Sequence, residues 1–410
     1  MKKVFLVYGT IVAAAVIFNI VFLSPFFLLR RSRRLTGLKG GFKKKKGQSR
    51  NERASVMRDL TLRLCNIDGG GSSGAYSHEE YSSLYPPLNY SQCSDNAPLN
   101  VIPFFGGMTN AMKMVMLGAL MSFEEDRCFY VDDEHAHLNR GLGANTTFVQ
   151  KYLERPIGLS RHDPYVEKAF AENRVEVRQW YEYWESKHWR RSFNELYHIP
   201  NVFQNESLAG HELKRRMLQR MWKPRDEYQA AACDSLKQKH GLINSLKSFR
   251  PDEYIAFSIR RGDKTIEDIT FTDLAEYIAT AEEEAIPYTY FGVDRTPKIF
   301  VATDDCSVMP ELRRLRPEWK FFSECSDDDN EGRGFVLRDV PDWTEVEHEQ
   351  HFRKFFTELH GLALSRFYIG VRYTNVTWWV YFMRPQIDGS VIIVDRPDKF
   401  RSSQSYLNYL

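Results

Sequence analysis

Residues 254–264 read Tyr254-Ile255-Ala256-Phe257-Ser258-Ile259-Arg260-Arg261-Gly262-Asp263-Lys264, a short apolar run that stops at three cations and one acid. A run this short and this continuously apolar predicts a strand buried on both faces of a parallel sheet. The same pattern recurs on either side of it. Strands are expected at 298–303, 319–323, 367–371 and 391–394, with helices at 273–285, 311–315 and 345–365 between them. Upstream, 100–105 and 128–131 read as strands around an amphipathic helix at 109–123, and 211–247 reads as mostly helical. Short apolar strands alternating with helices predict an α/β fold, and such sheets bind ligands beyond the C-terminal ends of their strands.

Three of those ends carry polar groups. After 254–259, Arg260, Arg261 and Lys264 are costly to half-bury without a partner, and an anion such as a diphosphate would be one. A solvated charged turn is the other reading. After 298–303 come Thr303, Asp304 and Asp305. A carboxylate there accepts hydrogen bonds from a base edge or a ribose, or caps the next helix. After 367–371, Arg372-Tyr373-Thr374-Asn375 opens a helix whose N-terminus suits a phosphate or simply carries a cap. No metal is expected. The run Asp327-Asp328-Asp329 reads as a solvated loop, the cluster from Asp132 to His137 lacks zinc spacing, and His348 with His351 makes only a weak pair.

Of 410 residues, 43% are hydrophobic and 27% charged, which excludes both a mainly disordered chain and a multispanning membrane protein. The length allows two or three domains. The net charge of +2 hides an asymmetry. The first 50 residues hold 12 basic residues and no acid, leaving 44 basic residues against 54 acids in the remainder. A body with that acidic surplus is not expected to bind nucleic acid. Residues 4–29 carry no charge and are long enough to span a bilayer, so residues 1–29 read as an uncleaved transmembrane anchor and 30–60 as a basic stalk. The basic flank argues for a cytosolic body. Six cysteines and four sequons, at Asn89, Asn145, Asn205 and Asn375, argue for an oxidising lumen. Cys306 and Cys325 each follow a strand expected to neighbour the other, which predicts a bridge between them or mere proximity.

Taken in order, the strand-end motifs resemble the α1,6-fucosyltransferase family, within the wider fucosyltransferase group that includes the nodulation and protein O-fucosyltransferases. Ser258 to Lys264 resembles its H-V-R-R-T-D-K signature and Val301 to Asp305 its L-A-T-D-D segment. Glu358-Leu359-His360 with Phe367 to Asn375 is similar to its D-I-H…F-L-V-C-T-F-S-S-Q stretch, and Phe105-Gly106-Gly107 to its opening strand and helix. The likeness covers roughly residues 95–395. It implies a GT-B-like architecture of two Rossmann-like domains, an acceptor-side domain at 61–245 and a nucleotide-sugar donor domain at 246–410. It implies an inverting, metal-independent glycosyltransferase (a hexosyltransferase) that moves L-fucose from GDP-fucose to a glycan hydroxyl, with no cofactor beyond that donor. The expected acceptor is an N-glycan or glycoprotein.

Arg260 then matches the arginine on the diphosphate, with Arg261, Asp263 and Lys264 beside it. Asp268, or the adjacent Glu267, matches the catalytic base. Asp304 matches an acid that helps hold guanosine, and Asp305 beside it is a further donor-binding candidate. Thr374, Asn375, Gly106 and Gly107 match the donor-contacting groups, while Ser258 stands where the family has histidine. The resemblance tips the orientation towards a single-pass type II Golgi membrane protein with a lumenal body, and admits a homodimer. Transfer of another sugar or to protein, and an inactive glycan-binding scaffold, are the alternatives. Because the resemblance puts Asn375 at the donor phosphates, it also implies an unglycosylated Asn375.

Overall fold

The computed structural model describes residues 64–65, 97–125, 127–142, 146–153, 158–159, 161–178, 196–198, 207–243, 253–262, 272–326, 335–372, 374–384 and 390–395. The expected anchor at 4–29 and stalk at 30–60 lie outside them. Among the described residues no helix is long and apolar enough to cross a membrane.

The first half builds a three-stranded parallel sheet in the order β2-β1-β3 from β1 (Leu99–Pro103), β2 (Phe129–Asp132) and β3 (Val175–Val177). Its helices are α1 (Met108–Glu124), α2 (Phe148–Tyr152) and α3 (Pro164–Ala171). An antiparallel pair, β4 (Leu196–His198) and β5 (Ser207–Ala209), leads into α4 (Gly210–Met221) and α5 (Asp226–Asp234). The region expected to be mostly helical, 211–247, holds α4 and α5 with a break between them. Pro224, which cannot donate a helical hydrogen bond, sits in the break and bridges to Leu153.

The second half is a five-stranded parallel sheet in the order β10-β9-β6-β7-β8. Its strands are β6 (Ile255–Ile259), β7 (Lys298–Thr303), β8 (Lys320–Ser323), β9 (Phe367–Gly370) and β10 (Val391–Ile393). Between them run α6 (Leu274–Thr280), α7 (Val308–Leu315), α8 (Glu345–Leu364) and α9 (Asn375–Met383). The α/β class and the parallel pairing are what the alternation of elements predicts. Helix α7 begins three residues before its expected start because Pro310 falls in its first turn, where a missing N–H costs nothing. Helix α8 begins at a capping box: Thr344 Oγ1 accepts from the Glu347 amide, and Glu347 Oε2 accepts from the Thr344 amide.

All five residues of β6 are buried, and alternate side chains feed two cores. Ile255, Phe257, Ile299, Val301 and Ile369 pack with Leu274, Ile278 and Leu312 on one face. Ala256, Phe300 and Tyr368 belong to the larger core on the other face, which joins Met116, Phe148, Tyr152 and Met217 to Phe356, Leu359, Trp378 and Trp379. The chain leaves β6 towards β7 and β8, then returns to β9 and β10 on the opposite side. The strand order therefore reverses between β6 and β9, and the crevice at such a switch point is where a doubly wound sheet binds its ligand.

Disulfides join Cys65 to Cys233 and Cys306 to Cys325, and Cys128 is also bridged. The Cys306–Cys325 bond, between the residues that follow β7 and β8, has a Cα separation of 5.6 Å. It spans 19 residues, and loop-closure entropy assigns such a link about 3 kcal/mol. The double variant Cys306→Ala/Cys325→Ala is expected to lose roughly that much in chemical denaturation. An unchanged midpoint would show that the bridge constrains nothing.

Candidate active site

Three chain segments meet at the C-terminal edge of the larger sheet. Ile259 pairs with Thr303, so the residues that follow β6 and β7 lie side by side. Asp304 uses that proximity fully. Its Oδ1 accepts from the Arg261 amide at 2.8 Å, its Oδ2 accepts from the Gly262 amide at 3.0 Å, and Arg260 Nε lies 3.4 Å from Oδ2. The carboxylate is almost wholly buried, and it braces the turn that carries both arginines. Gly262 permits that turn, since a Cβ there would lie 2.2 Å from the carbonyl oxygen of Phe335 and 2.6 Å from its nitrogen. The Arg260 guanidinium carbon stands 5.8 Å from the centre of the Phe335 ring.

Phe335 opens an aromatic wall. It stacks on His351 at 4.8 Å and 24°, and Trp343 meets both rings, 4.8 Å from His351 and 5.8 Å from Phe335. Burial, then the charges of Lys354 and Arg260, lower the pKa of His351 to about 3, so its ring is a neutral surface at ordinary pH. Further along α8, Lys354 Nζ lies 3.3 Å from Cys306 Sγ. Glu358 Oε1 accepts from the Thr303 amide at 3.3 Å, and burial raises its pKa to about 7 against the opposing pull of Lys354.

The third segment follows β9. Thr374 caps α9, its Oγ1 accepting from the Val376 amide at 3.2 Å. Asn375 reaches across to α1: its Nδ2 donates to Asn110 Oδ1 at 3.1 Å, and its Oδ1 accepts from Lys113 Nζ at 3.5 Å. Asn110 Nδ2 in turn donates to the Phe105 carbonyl at 3.3 Å. Gly106, at φ +80°, makes this turn, and a Cβ there would lie 2.7 Å from Asn110 Nδ2. Gly107 is the N-cap of α1.

Arg260, Arg261 and Asp304 therefore meet at the ends of β6 and β7, while Thr374 and Asn375, after the neighbouring strand β9, meet the Gly106–Asn110 turn at the start of α1. Two candidates have other local partners. Ser258 is buried in the sheet, its hydroxyl hydrogen-bonded to Tyr368 and its carbonyl accepting from Tyr277. Asp305 Oδ1 accepts from the Ser307 amide at 3.0 Å within the turn that leads into α7. Asp263, Lys264, Glu267 and Asp268 lie outside the described residues, as do Asp327, Asp328 and Asp329. His348 is a core residue: Nδ1 meets the Tyr152 hydroxyl and Nε2 the Leu138 carbonyl, each at 2.8 Å. Among the described residues no group of three potential metal ligands occurs. Sequence reasoning missed Phe335, Trp343, Lys354 and Lys113, and met Glu358 only as part of the family-like Glu358-Leu359-His360 stretch. The spacing of His351, Lys354 and Glu358 along one helical face was the available signal.

The sequon headed by Asn375 is enclosed. Its amide nitrogen donates to Asn110, and Thr377 is fully buried with its hydroxyl donating to the Val371 carbonyl at 2.6 Å. Asn375 is expected to carry no glycan, as glycopeptide mass spectrometry of the folded protein from a glycosylating host would show. High occupancy at Asn375 would contradict this arrangement of α9. The sequons at Asn89, Asn145 and Asn205 lie outside the described residues.

No family model matches the sequence, and no curated protein matches it. Solved structures similar to this chain include several fucosyltransferases. The fucosyltransferase NodZ from Bradyrhizobium is 13% identical with a TM-score of 0.44, over 74% of this chain and 97% of that one. A mutant of Arabidopsis thaliana FUT1 in complex with GDP is 11% identical with a TM-score of 0.41, over 88% and 82%. POFUT1 in complex with GDP-fucose is 9% identical with a TM-score of 0.37, over 74% and 100%. At such values this chain's own strand order and side-chain geometry must carry its chemistry.

Proposed function

We propose that this chain is a GDP-fucose-dependent fucosyltransferase that acts with inversion on a glycan hydroxyl, an α1,6-fucosyltransferase of N-glycans being the specific reading. The observation that carries it is Arg260, braced by Asp304 at the switch point of the larger sheet. The motif resemblance aligns the same arginine with the diphosphate-binding arginine of that family.

Arg260 and Arg261 would hold the diphosphate, and Arg260 would neutralise the charge that develops as the bond from C1 to the phosphate oxygen breaks. The N-terminus of α9 has no acid in its first turn and adds fixed amide dipoles on the same side. With Ser258 turned into the core, base recognition falls to the neutral wall of Phe335, His351 and Trp343. Asp268 or Glu267 would take the proton from the attacking acceptor hydroxyl, with Lys264 assisting the leaving group. We place the acceptor side in 61–245 and the donor side in 246–410, in a Golgi type II protein anchored through residues 4–29.

The test is a donor-turnover assay on the full chain with GDP-fucose, GDP-mannose and UDP-N-acetylglucosamine, with and without an N-glycan acceptor. GDP release confined to GDP-fucose, with an α-fucosylated product, is the expected result. Turnover of another donor would reassign the sugar. Tight donor binding with no turnover would make the protein a glycan-binding scaffold.

A further inference from the structure

The Cys306–Cys325 bridge ties the ends of β7 and β8, and a cation stands against it. Lys354 on α8 places Nζ 3.3 Å from Cys306 Sγ and 3.8 Å from Cys325 Sγ. Among the described residues that ammonium is in no ion pair. The acids around it have other donors. Glu324, the residue before Cys325, accepts from Ser235 Oγ at 2.6 Å, Lys239 Nζ at 3.0 Å and His240 Nε2 at 2.7 Å. Asp305, the residue before Cys306, accepts from the Ser307 amide, and Glu358, one turn further along α8, accepts from the Thr303 amide. The two cysteines differ in access. Cys306 is 6% exposed, whereas Cys325 is only partly buried and is followed by the exposed Ser326.

A disulfide sulfur is neutral and a weak acceptor, so it offsets little of the cost of half-burying an ammonium. A thiolate at the same place would be a full counter-charge. Lys354 therefore favours the opened bridge over the closed one, and it favours the thiolate of Cys306, the nearer sulfur, over that of Cys325. The other disulfide of known pairing lacks this feature. Cys65 and Cys233 are both buried, and the group that Cys233 Sγ meets, at 4.0 Å, is His360 Nδ1. Burial lowers the pKa of His360 to about 4, so that ring carries no charge at ordinary pH.

We infer that the Cys306–Cys325 bridge is a thiol–disulfide exchange site that takes a dithiol, and that its opening weakens the hold on the donor. The external thiolate attacks Cys325 Sγ on the more accessible residue. A mixed disulfide forms there, the Cys306–Cys325 bond breaks, and its electron pair leaves on Cys306 Sγ as a thiolate facing Lys354. A thiolate that is better stabilised leaves faster. The second thiol of the reagent then attacks the mixed disulfide and releases Cys325 Sγ. The dithiol ends as a disulfide, and its two electrons and two protons pass to the pair of cysteines and the solvent. Cys306 lies two residues after Asp304, in the turn between β7 and α7. Once opened, that turn keeps the hydrogen bonds of Asp305 with Thr303 and Ser307 but loses its tie to β8. Asp304 braces the arginine turn from this segment, so the effect on the donor rests on the GDP-fucose reading, while the exchange itself does not.

The test treats the folded full chain with dithiothreitol, alkylates the thiols at intervals and reads each cysteine by mass spectrometry. The proteins are the wild type, Lys354→Met and Lys354→Arg. In the wild type the Cys306–Cys325 bridge is expected to open at least about tenfold faster than Cys65–Cys233. In Lys354→Met its equilibrium with the dithiol should move at least about tenfold towards the closed bridge, roughly 30 mV for a two-electron couple, while Lys354→Arg stays near the wild type. An unchanged equilibrium in a folded Lys354→Met protein would overturn the site, as would equal opening of the two bridges. With glutathione in place of the dithiol, the mixed disulfide is expected on Cys325, and an adduct confined to Cys306 would overturn the direction of attack. GDP is expected to bind at least about fivefold more weakly to the opened protein and, by linkage, to protect the bridge by the same factor. Equal GDP affinity in both forms would overturn the coupling. If GDP binds neither form while Lys354 still sets the exchange equilibrium, the donor reading fails and the exchange site stands.

Discussion

Arg260→Ala is expected to lower kcat/KM for donor turnover by about two to three orders of magnitude, the cost of roughly 3–4 kcal/mol of transition-state charge stabilisation. The loss should come without unfolding. Asp304 would still accept hydrogen bonds from the Arg261 and Gly262 amides, so the turn keeps its brace when the guanidinium is gone. Arg260→Lys should fail nearly as badly, because a point charge on a flexible stem lacks the planar fork and cannot both reach Asp304 and clasp two phosphate oxygens. Turnover near the wild-type rate in a folded Arg260→Ala protein would remove Arg260 from the mechanism, and the donor reading with it.

Asp304→Ala should produce the larger structural effect. It removes the buried carboxylate that accepts from the Arg261 and Gly262 amides and lies beside Arg260 Nε. Breaking a buried pair from one side costs about 3–5 kcal/mol. Activity should fall with stability, because Arg260 and Arg261 sit on the released turn. Asp304→Asn separates the two effects, since it keeps the volume and one carbonyl acceptor but loses the charge. It should retain much of the stability while still impairing turnover. Denaturation midpoints and kcat/KM measured on the same preparations decide the matter. A stable and active Asp304→Ala protein would show that the carboxylate braces nothing.

These two variants also show how an aligned acid can differ in role from its match. The resemblance places Asp304 near guanosine. In this structure its carboxylate oxygens point at the β6 turn, where two amides and a guanidinium meet them. Positioning the arginines is a task it performs with or without a nucleotide.

The central strands were legible in the sequence because burial on both faces demands it. Residues 255–259, 298–303 and 367–370 are short apolar runs, and each ends where charge or hydroxyl groups begin. The Cys306–Cys325 bridge was legible for a similar reason: its two residues follow neighbouring strands. The short elements between 148 and 177 were not read, although Asp163 and Pro164 form an ordinary helix start, because α2, α3 and β3 are too brief for periodicity to register. Motif and position pointed to Arg260, Arg261, Asp304, Thr374 and Asn375 as a set, and only tertiary structure could show what holds them. Asp304 lies 42 residues from the Gly262 amide it receives, and Asn375 lies 265 from Asn110. The wall of Phe335, Trp343 and His351 follows no single helix or strand period, although His351 shares a face of α8 with Lys354 and Glu358. The contacts of Asp304 with Gly262 and of Asn375 with Asn110 join residues far apart in the chain, and they exist because β6 pairs with both β7 and β9 and the helices of both halves share one core. Local pattern determines whether a residue lies in a strand, a helix or a turn; the order in which strands pair determines which turns become neighbours.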